Sequence, residues 1–156
     1  MSEQIEVRRG DVADAAELIR FNIEMAMETE GKVLHPAVVS SGVEQVIHRP
    51  ELGMYVVAVK KGTLVAGLMI TKEWSDWRNG EFWWIQSVYV DPEYRKQGVF
   101  RKLYEFIQDE AKEAKDVIGF RLYVEESNKQ AQKTYKALGM KETSYKMFEK
   151  EFIKKD

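Results

Sequence analysis

Four cations surround one glycine in residues 95–102, which read RKQGVFRK. Asp91 and Pro92 break the preceding strand pattern and apolar residues at helical spacing follow, so a helix should begin at Gly98. A helix start has unpaired N–H groups and a partial positive charge, and each cation there costs a few tenths to about 1 kcal/mol. We therefore predict a bound anion such as phosphate. On spacing alone, a solvated loop with a glycine at its turn is the alternative.

The spacing of the glycines excludes two common phosphate-binding motifs. A P-loop requires Gly-Lys-Ser/Thr after its glycines, and a dinucleotide-binding fingerprint requires two more glycines near the first strand. Neither pattern is present. The chain also has no cysteine and only two histidines, His35 and His48. We therefore expect no thiol nucleophile, no bound metal ion and no Ser-His-Asp triad.

Charge and hydropathy narrow the class of protein further. The net charge is −2, with both signs interspersed, so a nucleic acid is not an expected partner. The first residues lack the pattern of a signal peptide, and the longest apolar runs are far shorter than the ~20 residues that span a bilayer. We expect a cytoplasmic protein that binds no membrane.

The hydrophobic pattern predicts one domain over residues 1–156, in the order β-α-α-β-β-β-α-β-α-β. This order is typical of a layered α/β or α+β domain with a mixed sheet. The near-continuous apolar run of residues 82–90 indicates a central strand buried on both faces. The predicted strands are 5–9, 54–59, 64–71, 82–90, 120–124 and 140–150; the predicted helices are 11–28, 41–49, 98–114 and 127–138.

Two segments of the chain resemble the GCN5-related N-acetyltransferase (GNAT) superfamily. Arg95 and Gly98 match the family's Gln/Arg-x-x-Gly-x-Gly/Ala motif, although Phe100 stands where Gly or Ala is usual. Residues 128–140 are similar to its Asn-x-x-Ala-x-x-x-Tyr-x-x-x-Gly-Phe pattern. The resemblance covers essentially the whole chain. It implies a mixed, mostly antiparallel central sheet flanked by about four helices, with acetyl-CoA as co-substrate and no metal ion.

The resemblance also implies roles for individual residues. Val88 and Val90 would pair with the pantetheine arm like an added strand. Residues 97–101 would supply N–H groups to the pyrophosphate, Asn128 would bind near the acyl group, and Tyr135 would protonate the leaving thiolate. The implied cofactor-binding residues are Val88, Tyr89, Val90, Arg95, Lys96, Gln97, Gly98, Val99, Phe100, Arg101, Asn128 and Tyr135. Periodicity alone favours a core tyrosine at position 135, whereas the spacing from Asn128 to Tyr135 favours the catalytic role.

The acceptor implied by the resemblance is a primary amine of a small molecule or a peptide. An alkylamine has a pKa near ~10.4, so it must lose a proton before it attacks the thioester. Many relatives have a Glu where this chain has Gln86, which cannot act as a base but could orient a water molecule. Glu28, Glu30 and Trp84 are candidate acceptor-binding residues. Solvated carboxylates and core packing are their alternatives.

Two hypotheses about activity follow. The first is acetyl transfer by direct attack within a ternary complex, without a covalent enzyme intermediate. The second is an acyl-CoA-binding module without catalysis, which the departures at Gln86 and Phe100 motivate. Because relatives are often dimers, a homodimer is a further expectation from the resemblance.

Overall fold

The computed structural model describes residues 4–152. The chain divides into two compact units, the first ending at Leu122 and the second beginning at Tyr123. The first unit contains β1 (Glu6–Arg9), α1 (Ala15–Glu30), α2 (Pro36–His48), β2 (Gly53–Lys60), β3 (Thr63–Ser75), β4 (Gly80–Val90), α3 (Val99–Glu113) and β5 (Val117–Arg121). The second contains α4 (Lys129–Ala137). Among these helices, none has both the length and the apolar character to cross a membrane.

The five strands form one sheet in the order β1-β2-β3-β4-β5. The first four pair antiparallel, and β5 runs parallel to β4. The predicted fold class, a mixed and mostly antiparallel sheet accompanied by four helices, is therefore confirmed. A parallel neighbour requires a crossover, and α3 supplies it between β4 and β5.

Helices cover both faces of the sheet, and each face has its own apolar core. The α3 core contains Val99, Leu103 and Ile107 packed against side chains of β2, β3 and β4. The opposite core joins Leu18 and Phe21 of α1 to α2 and to the other face of the same strands. The central strands are therefore buried on both sides, as their near-continuous apolar sequences predict.

Helix α2 begins earlier than the sequence pattern predicted. Ser41 and Gly42, read as its capping box, lie inside the helix. The helix instead begins at Pro36, after His35 in an extended conformation. Proline is favoured in the first helical turn, because its missing N–H would be unpaired there in any case and its φ is already helical. The loop between α1 and α2 is correspondingly short.

The second unit differs from the prediction at the cap of α4 and in the segment that follows the helix. Asn128, rather than Ser127, caps the helix, and its Oδ1 accepts from the N–H of Ala131 at 3.1 Å. Gly139 follows the helix with φ of 92°, as predicted. The predicted strand 140–150 is wrong, since residues 140–152 carry no strand. Apolar alternation makes a strand only where a neighbouring strand completes the hydrogen bonds, and these residues have none in the sheet.

Candidate active site

Strand β4 contains a β-bulge near its C-terminal end. Ser87 and Val88 together face the single residue Leu68 of β3. Ser87 has φ of 52°, in the left-handed region that residues other than glycine rarely adopt. The extra residue reverses the alternation of side chains, so that Gln86 and Tyr89 both lie on the α1–α2 face of the sheet.

The end of β4 also has an open edge. Its parallel pairing with β5 stops at Trp84, although β4 continues to Val90. The N–H of Asp91 donates to the carbonyl of Val65 at 2.8 Å. Because hydrogen-bonded and non-bonded positions alternate along an antiparallel pair, the N–H and C=O of Val90 point away from β3. Val90 therefore presents backbone groups along the open edge, whereas those of Tyr89 point toward β3.

The loop after β4 directs its polar side chains back onto its own backbone. Asp91 Oδ1 accepts from the N–H of Glu93 at 3.1 Å, which starts a short 3₁₀ turn. Gln97 Nε2 donates to the carbonyl of Glu93 at 2.9 Å. Arg95 Nε donates to the carbonyl of Val90 at 2.8 Å. These bonds fix the path of the loop up to the start of α3.

The start of α3 has the properties of a phosphate site. Gly98 precedes the helix with φ of 79° and ψ of 15°, and among residues 4–152 no side chain caps the helix. The first N–H groups of an α-helix have no intrahelical partner. The first turn contains no acidic residue, and Lys96, Arg101 and Lys102 are exposed around it. Among residues 4–152, no atom outside the neighbouring residues lies within 4 Å of a Cβ built on Gly98, so a ligand could approach the backbone closely at this position.

The side chain of Phe100 packs along its own helix. Its ring stacks on Tyr104, one helical turn onward, with ring centres 6.2 Å apart and planes inclined by 26°. The side chain is partly buried against the α3 core. The departure from Gly or Ala at this position is therefore accommodated by packing along the helix, and the backbone remains that of an ordinary first turn.

Arg95 is bound to the protein through most of its guanidinium. NH1 and NH2 contact the two carboxylate oxygens of Glu28 at 2.6 and 3.0 Å. The hydrogen bond with Glu28 raises the pKa of Arg95 above its usual value. The guanidinium also lies over the ring of Tyr89, 5.4 Å from its centre. Glu28, predicted to bind the acceptor, thus contacts the loop between β4 and α3.

Tyr89 anchors β4 to α1. Its hydroxyl donates to Glu24 Oε2 at 2.8 Å, and its ring packs on Phe21. Burial, followed by the Glu24 hydrogen bond, raises the pKa of Tyr89 to about 12. The same hydrogen bond lowers the pKa of Glu24, with a further contribution from Arg20. The side chain of Tyr89 is therefore buried in the α1–α2 core, with its hydroxyl bound to Glu24.

The other predicted acceptor residues lie along the same face of the sheet or at the end of α1. Thr71 Oγ1 donates to Gln86 Oε1 at 3.1 Å, which fixes the amide. Trp84 Nε1 donates to Glu73 Oε1 at 3.0 Å, and Arg121 binds the same oxygen at 2.8 Å. Trp84 thus has a polar partner on this face, whereas Trp83 is buried in the opposite core. Glu30 is the exposed last residue of α1.

The second unit holds the other two predicted residues. Asn128 and Tyr135 lie at the cap and in the second turn of α4, seven positions apart. The Oδ1 of Asn128 is committed to the helix cap. Burial raises the pKa of Tyr135, which keeps its hydroxyl protonated at neutral pH.

The first unit therefore assembles the end of β4, the loop and the start of α3, with Gln86 and Glu28 beside them. The sequence did not reveal Ser87 or Glu24. A bulge has no fixed residue signature, and Glu24 is recognisable only through its spacing of one helical turn from Glu28. Within residues 4–152, no three His, Asp or Glu side chains are grouped to hold a metal ion.

Known proteins resemble this chain in sequence and in fold. The sequence model of the Acetyltransferase (GNAT) family matches residues 20–140. A search of curated proteins found no match. A possible acetyltransferase from Clostridium difficile 630 is 43% identical, with a TM-score of 0.89, and the match covers 97% of this chain and 100% of that one.

Two more distant structures share the fold. A predicted acetyltransferase from Clostridium acetobutylicum, solved with acetyl-CoA, is 17% identical, with a TM-score of 0.77 and coverage of 94% of this chain and 96% of that one. The aminoglycoside N-acetyltransferase AAC(6')-Iy, solved with CoA, is 14% identical, with a TM-score of 0.78 and 97% coverage of both chains.

Proposed function

Because the chain belongs to the acetyltransferase (GNAT) family, we propose that it transfers an acetyl group from acetyl-CoA to a primary amine of a small molecule or peptide. The observation that carries the proposal is the start of α3. Uncapped N–H groups, three exposed cations and a glycine whose backbone can be approached closely together suit a diphosphate. The outward N–H of Val90 suits the amides of a pantetheine arm, which would lie along β4 as an added strand.

The acetyl group would be transferred by direct attack of the amine on the thioester carbonyl. The new C–N bond forms, the C–S bond breaks, and the thiolate takes a proton. Tyr135 is the proposed donor of that proton, because its phenolic hydroxyl carries a proton at neutral pH. The amine must lose a proton as well, and we assign that step to a water molecule oriented by Gln86, whose amide is held by Thr71.

The remaining parts of the proposal concern the setting of the reaction. We propose that residues 1–156 act as one catalytic domain in the cytoplasm, without nucleic acid or membrane as partner. The aminoglycoside acetyltransferase with the same fold acts on an amine acceptor, which supports an amine here. A homodimer is part of the proposal and is testable by light scattering.

The test is a turnover screen. Purified protein is mixed with acetyl-CoA and polyamines, amino acids, aminoglycosides or peptides with a free N-terminus, and the released thiol is measured. Release that depends on one amine class establishes the transferase. If acetyl-CoA raises the melting temperature but no amine releases thiol, the protein is an acyl-CoA-binding module. If neither CoA nor acetyl-CoA changes the melting temperature at millimolar concentration, the proposal is wrong.

A further inference from the structure

The side chain of the motif arginine is bound by β4 and α1. Three of its five N–H groups are used by the protein, one by the carbonyl of Val90 and two by Glu28. The Arg95 and Glu28 side chains are only 38% and 44% exposed. A bidentate contact between a guanidinium and a carboxylate is the most directional ion pair available to a protein. Arg95 is therefore held in one orientation.

Helix α1 contributes two carboxylates, one turn apart, to the end of β4 and the loop that follows. Glu24 accepts from Tyr89, the residue before the last of β4, and Glu28 binds Arg95 in the loop that follows. The two carboxylates thus connect one face of α1 to both sides of the junction between strand and loop. Neither contact is a hydrogen bond within the helix, and both join residues more than 60 positions apart.

The loop requires such support because its backbone is unfavourable in isolation. Lys96 has φ of 61° and Gly98 has φ of 79°, so two residues of four adopt the left-handed region. Glycine tolerates this conformation, but a lysine does so only where its surroundings determine it. Arg95, next to Lys96, binds α1 and β4 through its side chain, and Tyr94 before it packs against the α3 core.

We infer that Glu28 is a positioning residue for the cofactor, acting through Arg95 on the backbone of residues 95–98. The inference rests on the proposed function, since it assumes that this backbone binds a diphosphate. Glu28 does not contact the cofactor in this arrangement. It holds the guanidinium, and the guanidinium holds the strained loop in the conformation that aims its N–H groups at the phosphates.

The direction in which CoA affinity changes on removal of Glu28 distinguishes a positioning role from competition with phosphate. If Glu28 merely competes with phosphate for Arg95, its removal frees a cation and deletes a negative charge, and CoA binds more tightly. If Glu28 positions the loop, its removal lets the loop relax and CoA binds more weakly. The variant Glu28→Gln conserves size, so the comparison isolates the charge and the bidentate contact.

The experiment measures CoA affinity by isothermal titration for the full chain and three variants. We expect Glu28→Gln to raise the Kd for CoA about 3–10-fold, as for loss of a partly exposed ion pair that organises a site. Arg95→Lys retains the positive charge but loses the planar guanidinium that binds both oxygens of Glu28, so it should raise the Kd for CoA by a similar factor. The control is Glu110→Gln, which breaks the 2.7 Å ion pair with Arg9 and should leave the Kd unchanged.

Steady-state kinetics supply the second readout. For Glu28→Gln, the KM for acetyl-CoA should rise with the Kd while kcat and the acceptor KM stay within twofold. Unchanged or tighter CoA binding in Glu28→Gln overturns the inference, and so does a rise confined to the acceptor KM. If the unmodified protein itself binds no CoA, the proposed function fails. The two failures are therefore distinguishable.

Discussion

The replacement of Gly98 by alanine tests the phosphate site with a worked magnitude. Gly98 has φ of 79°, and the left-handed conformation costs an alanine about 1–2 kcal/mol. Alanine also lowers the conformational entropy of the unfolded chain, which offsets about 0.4–1 kcal/mol of that loss. A Cβ there meets nothing within 4 Å, so no steric term is added. The net loss of stability should be about 1 kcal/mol, which lowers the melting temperature by ~2–4 °C.

The effect on CoA should be much larger. In the proposed complex the phosphate oxygens approach the backbone at Gly98, and the added Cβ would compete for that space. Loss of one charge-assisted hydrogen bond, about 1.5–3 kcal/mol, corresponds to a Kd roughly 10–150-fold higher. Isothermal titration with CoA measures the change directly, and thermal denaturation without CoA measures the stability term.

The chain offers a matched control. Gly62, in the turn between β2 and β3, has φ of 76° and equally open surroundings. Gly62→Ala should therefore lose the same stability as Gly98→Ala and bind CoA normally. If the two variants bind CoA equally well, the phosphates do not lie at the start of α3. A loss above about 3 kcal/mol in Gly98→Ala alone would mean that the open space does not exist.

Three further predictions concern single side chains. Tyr135→Phe should lower kcat about 10²-fold or more with the KM for acetyl-CoA within twofold, and unchanged turnover removes Tyr135 from the acid role. Tyr89 has a folded pKa of about 12, above its ordinary value of 10, so its contribution to stability is complete below pH 10 and is lost as the pH rises to 12. Urea denaturation between pH 9 and 12 should show a shallower decline for Tyr89→Phe, and parallel curves would contradict the assignment. Gly53→Ala should destabilise the fold by more than about 3 kcal/mol in the same assay, because its Cβ would overlap the carbonyl oxygen of Ile70; a loss below about 1 kcal/mol would refute that contact.

The features that sequence predicted well depend on neighbouring residues. The apolar stripe of α3, the glycine before it and the long strand β4 are set by local periodicity, and each lies within two residues of its predicted bounds. Helix α2 was misplaced because a serine and a glutamate at capping-box spacing outweighed Pro36 as a start. The predicted strand after α4 failed for a different reason, since a strand depends on a distant partner.

In the candidate site, too, the features set by local sequence were predictable and those set by distant partners were not. Gly98 was recognisable because its backbone requirement is unusual and its surroundings are cationic. The side-chain direction of Arg95 was not, because its partner is 67 positions away and no spacing rule links the two residues. Ser87 carries the left-handed backbone of the bulge without being a glycine, so composition gave no indication of it. The roles of Gln86 and Tyr135 stay predictions.

The bulge at Ser87 changes which positions of β4 face each of the two cores. Upstream of it, odd-numbered side chains such as Ile85 enter the α3 core, and downstream of it the even-numbered Val88 and Val90 do so. Deletion of Ser87 alone would remove the bulge and leave Val88, Tyr89 and Val90 on the faces of the sheet that they now occupy. The hydroxyl of Tyr89 would still reach Glu24, and the carbonyl of Val90 would still point toward Arg95. The extra residue is therefore not needed to sort side chains between the two cores, and its effect on β4 is the added local twist beside the open edge.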